Sequence, residues 1–201
     1  MDLKDKHIDV LKEISNIGSG NSVTALSKLL DKKIVMSPPV ASLVDFQSAT
    51  DFLGGPEMEM MAVLVHADSD NVHGMMIFLL DFKNAKTLIC SMMNKELSED
   101  FEMGEIELSA MKEVGNILNS SYLNALSILI NEPITISIPT VAVDMAAAIL
   151  SVPVIEYGKV SDKALFIKNK FGPEEIDIDG YFLFIPDADS FKHVFNALGV
   201  Y

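Results

Sequence analysis

Two short polar patterns carry the residue types from which chemistry can be built. The first is Asp9, Glu13 and Asn16, followed by Pro39; the second is Ser109, Glu113 and Asn116, followed by Pro139. Glu13, Asn16 and Pro39 each recur 100 positions later as Glu113, Asn116 and Pro139. Residues three and four apart are neighbours on a helix, so each set would form one polar stripe. Asparagine is a poor helix former, and an exposed one adds nothing to a core. Its carboxamide, however, donates and accepts hydrogen bonds at once and can orient a water for attack. A glutamate beside it can clamp a lysine of a partner or act as a base. A solvated helix face kept by ancestry would carry the same residues without any chemistry.

Other chemistries find little support. His7, His66, His73 and His193 show no metal-ligand spacing, and no cysteine pair exists. Gly18-Ser19-Gly20 falls inside a helical pattern instead of after a strand, and the chain has neither a Gly-Lys-Ser phosphate loop nor a serine-nucleophile elbow. The single cysteine, Cys90, stands in an apolar stretch and reads as a small buried hydrophobe in a reducing compartment. With 29 acidic against 15 basic residues the net charge is −14. Such a surface repels phosphate backbones, which argues against nucleic acid, and favours a partner with a basic patch. The polar N-terminus (Met1-Asp2-Leu3-Lys4-Asp5-Lys6) does not resemble a signal peptide. The apolar runs fall well short of the ~20 residues that span a bilayer. A soluble, cytoplasmic protein is expected.

The elements that must position the two stripes follow from periodicity. Apolar Ile8, Leu11, Ile14, Leu26 and Leu29 predict a helix over 5–30, in which Gly18 and Gly20 imply a kink or a closely packed neighbouring backbone. Leu108, Met111, Val114, Ile117, Leu126 and Leu129 predict a second helix over 105–130. Short strands are expected at 34–36 and 133–138. A connector is expected from Leu43 to the Gly54-Gly55-Pro56 turn, a hairpin from 58–66 and 72–80, and a helix over 82–93. Further on, a short helix over 144–150, strands over 152–160, 164–170 and 178–185, and a closing helix over 190–198 capped by Asp187 or Asp189 complete the reading. The methionines on the hairpin strands are expected to fill core.

Residues 9–39 and 109–139 align without a gap at eleven identities in thirty-one positions. These are Lys12/Lys112, Glu13/Glu113, Asn16/Asn116, Ile17/Ile117, Ala25/Ala125, Leu26/Leu126, Ser27/Ser127, Leu29/Leu129, Ile34/Ile134, Ser37/Ser137 and Pro39/Pro139. Looser matches pair Val44-Asp45 with Val143-Asp144 and the strand at Gly74 with that at Gly180. A duplication with pseudo-twofold symmetry and one shared core is expected.

The stretches Glu13-Ile14-Ser15-Asn16-Ile17-Gly18-Ser19-Gly20-Asn21 and Glu113-Val114-Gly115-Asn116-Ile117-Leu118 closely resemble the duplicated motif of the CheC family. The family pattern is Asp or Ser, three residues, Glu, two residues, Asn, twenty-two residues and Pro, and both copies here fit it. The resemblance implies a phosphatase acting on the aspartyl phosphate of a CheY-like receiver domain in chemotaxis. Asn16 and Asn116 would orient the attacking water, and Glu13 and Glu113 would engage a receiver lysine. The protein would need no cofactor of its own, the Mg2+ belonging to the receiver. Two copies in one chain resemble CheC more than the single-copy, dimerising CheX, and the end at Tyr201 sets the chain apart from FliY, so a monomer is expected. Ser15 departs from the glycine common in the family and is expected to hinder docking at the first site. The region of Val143-Asp144-Met145 resembles the part that contacts the deamidase CheD, which makes Asp144 a candidate partner-binding residue. A non-catalytic adaptor for a receiver or for CheD is the alternative.

The implied fold is α/β (α+β): a single CheC-like domain over 1–201, with two pseudo-repeats at roughly 1–100 and 101–201. A central, largely antiparallel sheet would carry two long motif-bearing helices.

Overall fold

The computed structural model of the protein describes residues 5–98, 100–157, 160–173 and 177–199, with side chains from residue 12 onward. The elements in chain order are α1 (Asp5–Leu30), β1 (Ile34–Met36), β2 (Val40–Asp45), a 3-10 turn, α2 (Ala49–Phe52), β3 (Glu59–Asp68), β4 (His73–Asp81) and α3 (Phe82–Met93). They continue with α4 (Glu105–Ile130), β5 (Thr135–Ile136), β6 (Thr140–Met145), α5 (Ala146–Tyr157), β7 (Lys163–Pro173), β8 (Ile178–Pro186) and α6 (Ala188–Ala197).

The strands form one antiparallel sheet in the order β1-β7-β8-β4-β3-β5, with β2 also on β7 and β6 also on β3. First-half strands therefore pair with the second-half hairpin, and second-half strands with the first-half hairpin. Neither half completes its own edge. The register makes the symmetry explicit. Carrying β2 forward by 100 residues and β7 back by 104 turns the pair Val44↔Ala164 into Asp144↔Met60, and both are ladder pairs. The same shift of 104 carries Val63↔Phe78 onto Ile167↔Phe182. Phe78 and Phe182 are themselves paired across β4 and β8, so the pseudo-twofold axis runs between them. Their rings lie 5.0 Å apart, centroid to centroid. The looser sequence matches shift accordingly: Gly180 takes the place of Met76, not of Gly74, and Asp144 the place of Val44.

Both sheet faces are covered. On one face Met61, Val63, Met76, Phe78, Ile167 and Phe182 pack with buried residues of α1, α3, α4 and α6. On the other, Met60, Ala62, Ile77, Leu79, Phe166 and Leu183 pack under α2 and α5. Because each strand feeds both cores, β3 and β4 are apolar at nearly every position. The hairpin methionines Met60, Met61, Met75 and Met76 are buried core, whereas Met58 is exposed. Cys90 is buried, which pushes its thiol up from the ordinary range.

Three predicted elements differ. The connector expected from Leu43 contains the end of β2, a 3-10 turn and α2, because β7 offers a ladder that Val40–Asp45 fills. Asp144 is the penultimate residue of strand β6 and does not begin a helix. The strand expected over 152–160 is helical up to Tyr157, while residues 158 and 159 lie outside the described residues. Ala146, Ile149, Leu150 and Pro153 are buried at helical spacing, and that stripe outweighs the β-branched run Val152, Val154 and Ile155. The closing helix is capped by Asp187, whose side chain accepts from the backbone N–H groups of Asp189 and Ser190.

Candidate functional site

Helices α1 and α4 present the two stripes. On α1, Ile14 and Ser15 are buried while Lys12, Glu13 and Asn16 are exposed. The side chains of Asp9 and of Ile8, Val10 and Leu11 lie outside the described residues. On α4, Met111, Val114 and Gly115 are buried, Ser109 and Glu113 are exposed, and Lys112 and Asn116 are half-buried. The helical phase thus points each glutamate and asparagine outward while its neighbours anchor the helix.

The second copy is gathered in one place. An open groove of about 750 Å³ is lined by Ser109, Lys112, Glu113 and Asn116 of α4, with Ile138 and the pattern's Pro139 opposite and Glu105, Ile106 and Ala110 completing it. Pro139 is 23 residues from Asn116 in sequence, and the turn between β5 and β6 returns it beside the helix. This is a physical reason for the fixed spacing to proline. The short glutamate–asparagine pattern does not by itself mark Lys112, Ile106 or Ile138. Only Lys112 has a sequence signal, its identity with Lys12.

The platform beneath is rigidly specified. A Cβ built on Gly115 would lie 2.4 Å from Val63, so α4 rests directly on β3. Asn119 donates from Nδ2 to the Val63 carbonyl at 2.9 Å. A Cβ built on Gly18 would lie 2.6 Å from the Tyr122 ring, whereas one on Gly20 would meet nothing within 4 Å. The close neighbour inferred for these glycines is an aromatic side chain at Gly18, not a backbone. Tyr122 donates to Asn169 Oδ1 at 3.0 Å, and Asn169 donates to Ser19 Oγ at 3.1 Å. This buried network joins α1, α4 and β7. Burial pushes the Tyr122 phenol up to about 12.

Helix α4 begins four residues before the serine of its stripe with a built stop. Glu107 accepts the Gly104 N–H at 2.9 Å and pairs with Lys95, and that lysine holds the carboxyl below its usual range. Ser15, expected to crowd the first site, is fully buried with its side chain turned into the fold. It does not project toward a docking partner. Among the described residues, no three of His, Cys, Asp and Glu converge on a metal position. No helix among them is long and apolar enough to cross a membrane. Asp144 is exposed on β6, between exposed Val143 and Met145.

An antiparallel sheet closed by exchanged edge strands, with two helices presenting twin Glu-x-x-Asn stripes, defines a recognisable class. The chain belongs to the CheC-like family, whose model matches residues 7–43 and 106–143. It is 32% identical to the CheY-P phosphatase CheC of Bacillus subtilis, with 98% of this chain and 96% of that protein covered. It is similar in fold to Thermotoga maritima FliY, with a TM-score of 0.74 at 24% identity over 99% of this chain and 98% of that one. It is also similar to a chain of the CheX-CheY-BeF3-Mg+2 complex from Borrelia burgdorferi, with a TM-score of 0.52 at 17% identity over 85% of this chain and 96% of that one.

Proposed function

We propose that this protein is a phosphatase that removes the aspartyl phosphate of a CheY-like receiver domain in chemotaxis signalling, working in the cytoplasm. The observation that carries the proposal is the second groove, where Ser109, Glu113, Asn116 and Pro139 meet on an open surface. The first copy offers Glu13 and Asn16 on the equivalent exposed face. The similarity to a CheY-P phosphatase over nearly the whole chain supports the same reading.

In this proposal the asparagine carboxamide of Asn16 or Asn116 enters the receiver's phosphorylation site. Its oxygen accepts from a water, which fixes that water in line with the phosphorus atom. The water oxygen bonds to phosphorus, the bond from phosphorus to the aspartyl oxygen breaks, and inorganic phosphate and a free carboxylate result. Glu13 or Glu113 pairs with a lysine beside the phosphoaspartate and sets the docking angle. Any divalent cation is supplied by the receiver; the solved complex of a CheX relative with CheY includes BeF3 and Mg+2. Positioning and electrostatic preorganisation are then the whole of the protein's contribution.

Decay of a phosphorylated receiver, followed with and without the protein, tests the proposal. Faster decay at substoichiometric protein is expected. Tight binding with unaltered decay would favour the adaptor reading instead. We further propose Asp144 as part of a CheD contact, because exposed Val143 and Met145 flank it on an edge strand. Monomeric protein is expected in both settings.

A further inference from the structure

Helices α1 and α4 have the same length and begin 100 residues apart, at Asp5 and Glu105. Strands β2 and β6 also begin 100 apart, at Val40 and Thr140. Each position around one site therefore has a counterpart around the other. Glu13/Glu113, Asn16/Asn116 and Pro39/Pro139 are the same residue in both. Two members of the second groove differ. Ile106, in the first turn of α4, stands where the first copy has Lys6. Ile138, next to Pro139, stands where the first copy has Pro38.

Ile106 is 69% exposed and Ile138 83% exposed, and both line the groove that holds Glu113 and Asn116. A single exposed apolar side chain is ordinary on a protein surface; two that share a groove with the site residues call for a reason. The fold does not supply one. Neither isoleucine belongs to either core, and the first repeat builds the same helix and the same approach to its strand with lysine and proline at these positions. What the two side chains can do is bury apolar area when something covers the groove. A body that brings a phosphoryl group to Asn116 covers that groove, so the occupant is the receiver itself. Contact with polar groups would leave those groups unsatisfied, so the receiver surface they meet is apolar. We infer that Ile106 and Ile138 are specificity residues of the second site, gripping an apolar patch beside the receiver's phosphorylation site. The two sites then share one chemistry but hold receivers differently, the second favouring those with an apolar rim around the phosphoaspartate. This rests on the phosphatase reading and adds receiver selectivity to it.

The test uses the full chain carrying Asn16→Ala, so that turnover of a phosphorylated CheY-like receiver reports the second site. Adding Ile106→Gln/Ile138→Gln is expected to raise the half-saturating receiver concentration about tenfold. The maximal rate should hold, because docking area removed from ground state and transition state alike changes the first quantity and not the second. The tenfold ratio should persist at high salt, since apolar burial is not screened as charges are. Ile106→Leu/Ile138→Leu, which keeps the apolar area, should stay close to the parent, an outcome that a merely structural role does not predict. Ile128 provides the control. It is 67% exposed on the same helix, twelve residues beyond Asn116 and outside the groove lining, about 18 Å further along the axis. Ile128→Gln should leave turnover unchanged.

An unchanged half-saturating concentration in the Gln pair would overturn the inference. So would a ratio that vanishes at high salt, an equal loss in the Leu pair, or an equal loss in Ile128→Gln. Titration with a receiver loaded with BeF3 and Mg2+ separates this inference from the reading it rests on. If the wild type fails to speed decay while the Gln pair still weakens binding of the loaded receiver, the phosphatase reading falls and the docking role stands. If the wild type speeds decay and the Gln pair binds and turns over like its parent, the docking role falls alone. If the wild type binds no receiver, both fall.

Discussion

A Cβ on Gly18 would lie 2.6 Å from Cδ1 of Tyr122, so α1 and α4 meet through a glycine set against an aromatic ring. Gly18 is two residues from Asn16, and Tyr122 is six from Asn116. The contact thus sets how far apart the two stripes stand. Gly18→Ala is expected to cost about 1–3 kcal/mol, the usual range for overpacking a core. Gly20→Ala, with open space around it, should instead stabilise by up to ~1 kcal/mol through helix propensity. Urea denaturation of the two variants checks the opposite signs.

Ser15 and Gly115 occupy equivalent positions with unequal surroundings. A Cβ on Gly115 would be 2.4 Å from Val63, so Gly115→Ser should destabilise by about 1–3 kcal/mol. Adding Val63→Ala should recover part of the loss, a coupling readable in a double-mutant cycle. Ser15 is already accommodated inside the fold. Ser15→Gly should therefore bring no gain in the rate of receiver dephosphorylation, measured as decay of the phosphorylated receiver.

Both long helices, Asp5–Leu30 and Glu105–Ile130, and helix α3 were legible because apolar residues recur along them at helical spacing. The twofold plan was legible because the identities at offset 100 preserve core and surface alike. What local pattern could not supply was the exchange of edge strands. Val40–Asp45 has its pairing partner on β7, more than a hundred residues away, and nothing in the segment itself announces that ladder. Helix α5 was misread at Val152–Ile155 for a related reason: its buried stripe has meaning only against the sheet it covers. At the site, the exposed phase of Glu13, Asn16 and Glu113 follows from counting residues along a helix. The return of Pro139 to the groove, and the part played by Ile106 and Ile138, depend on the tertiary path.

Glu132 bolts the β3–β4 turn to the end of α4. Its carboxylate accepts from Ser69 Oγ and from both nitrogens of Asn71, and it lies 2.8 Å from His193 Nε2 on α6. The Ser69 bond foremost, then His193 and Asn71, hold its pKa at about 2, below an ordinary 4.5. The folded state thus prefers the ionised form. The stabilisation is complete above pH 4.5 and is lost as pH falls toward 2. The stability difference between wild type and Glu132→Gln should therefore be flat near neutrality and shrink across that window. Thermal melts of both proteins from pH 7 downward check this.

The central claim is that the two exposed asparagines do the chemistry. Its most direct measurement is the decay of a phosphorylated CheY-like receiver in the presence of wild type, Asn16→Ala, Asn116→Ala and the double variant, with folding verified for each. Loss of the water-orienting carboxamide at both sites predicts a fall of about 10²-fold or more in the double variant, the scale of removing one positioned catalytic donor. Each single variant should retain activity from the intact site. A double variant that dephosphorylates the receiver at the wild-type rate would contradict the account.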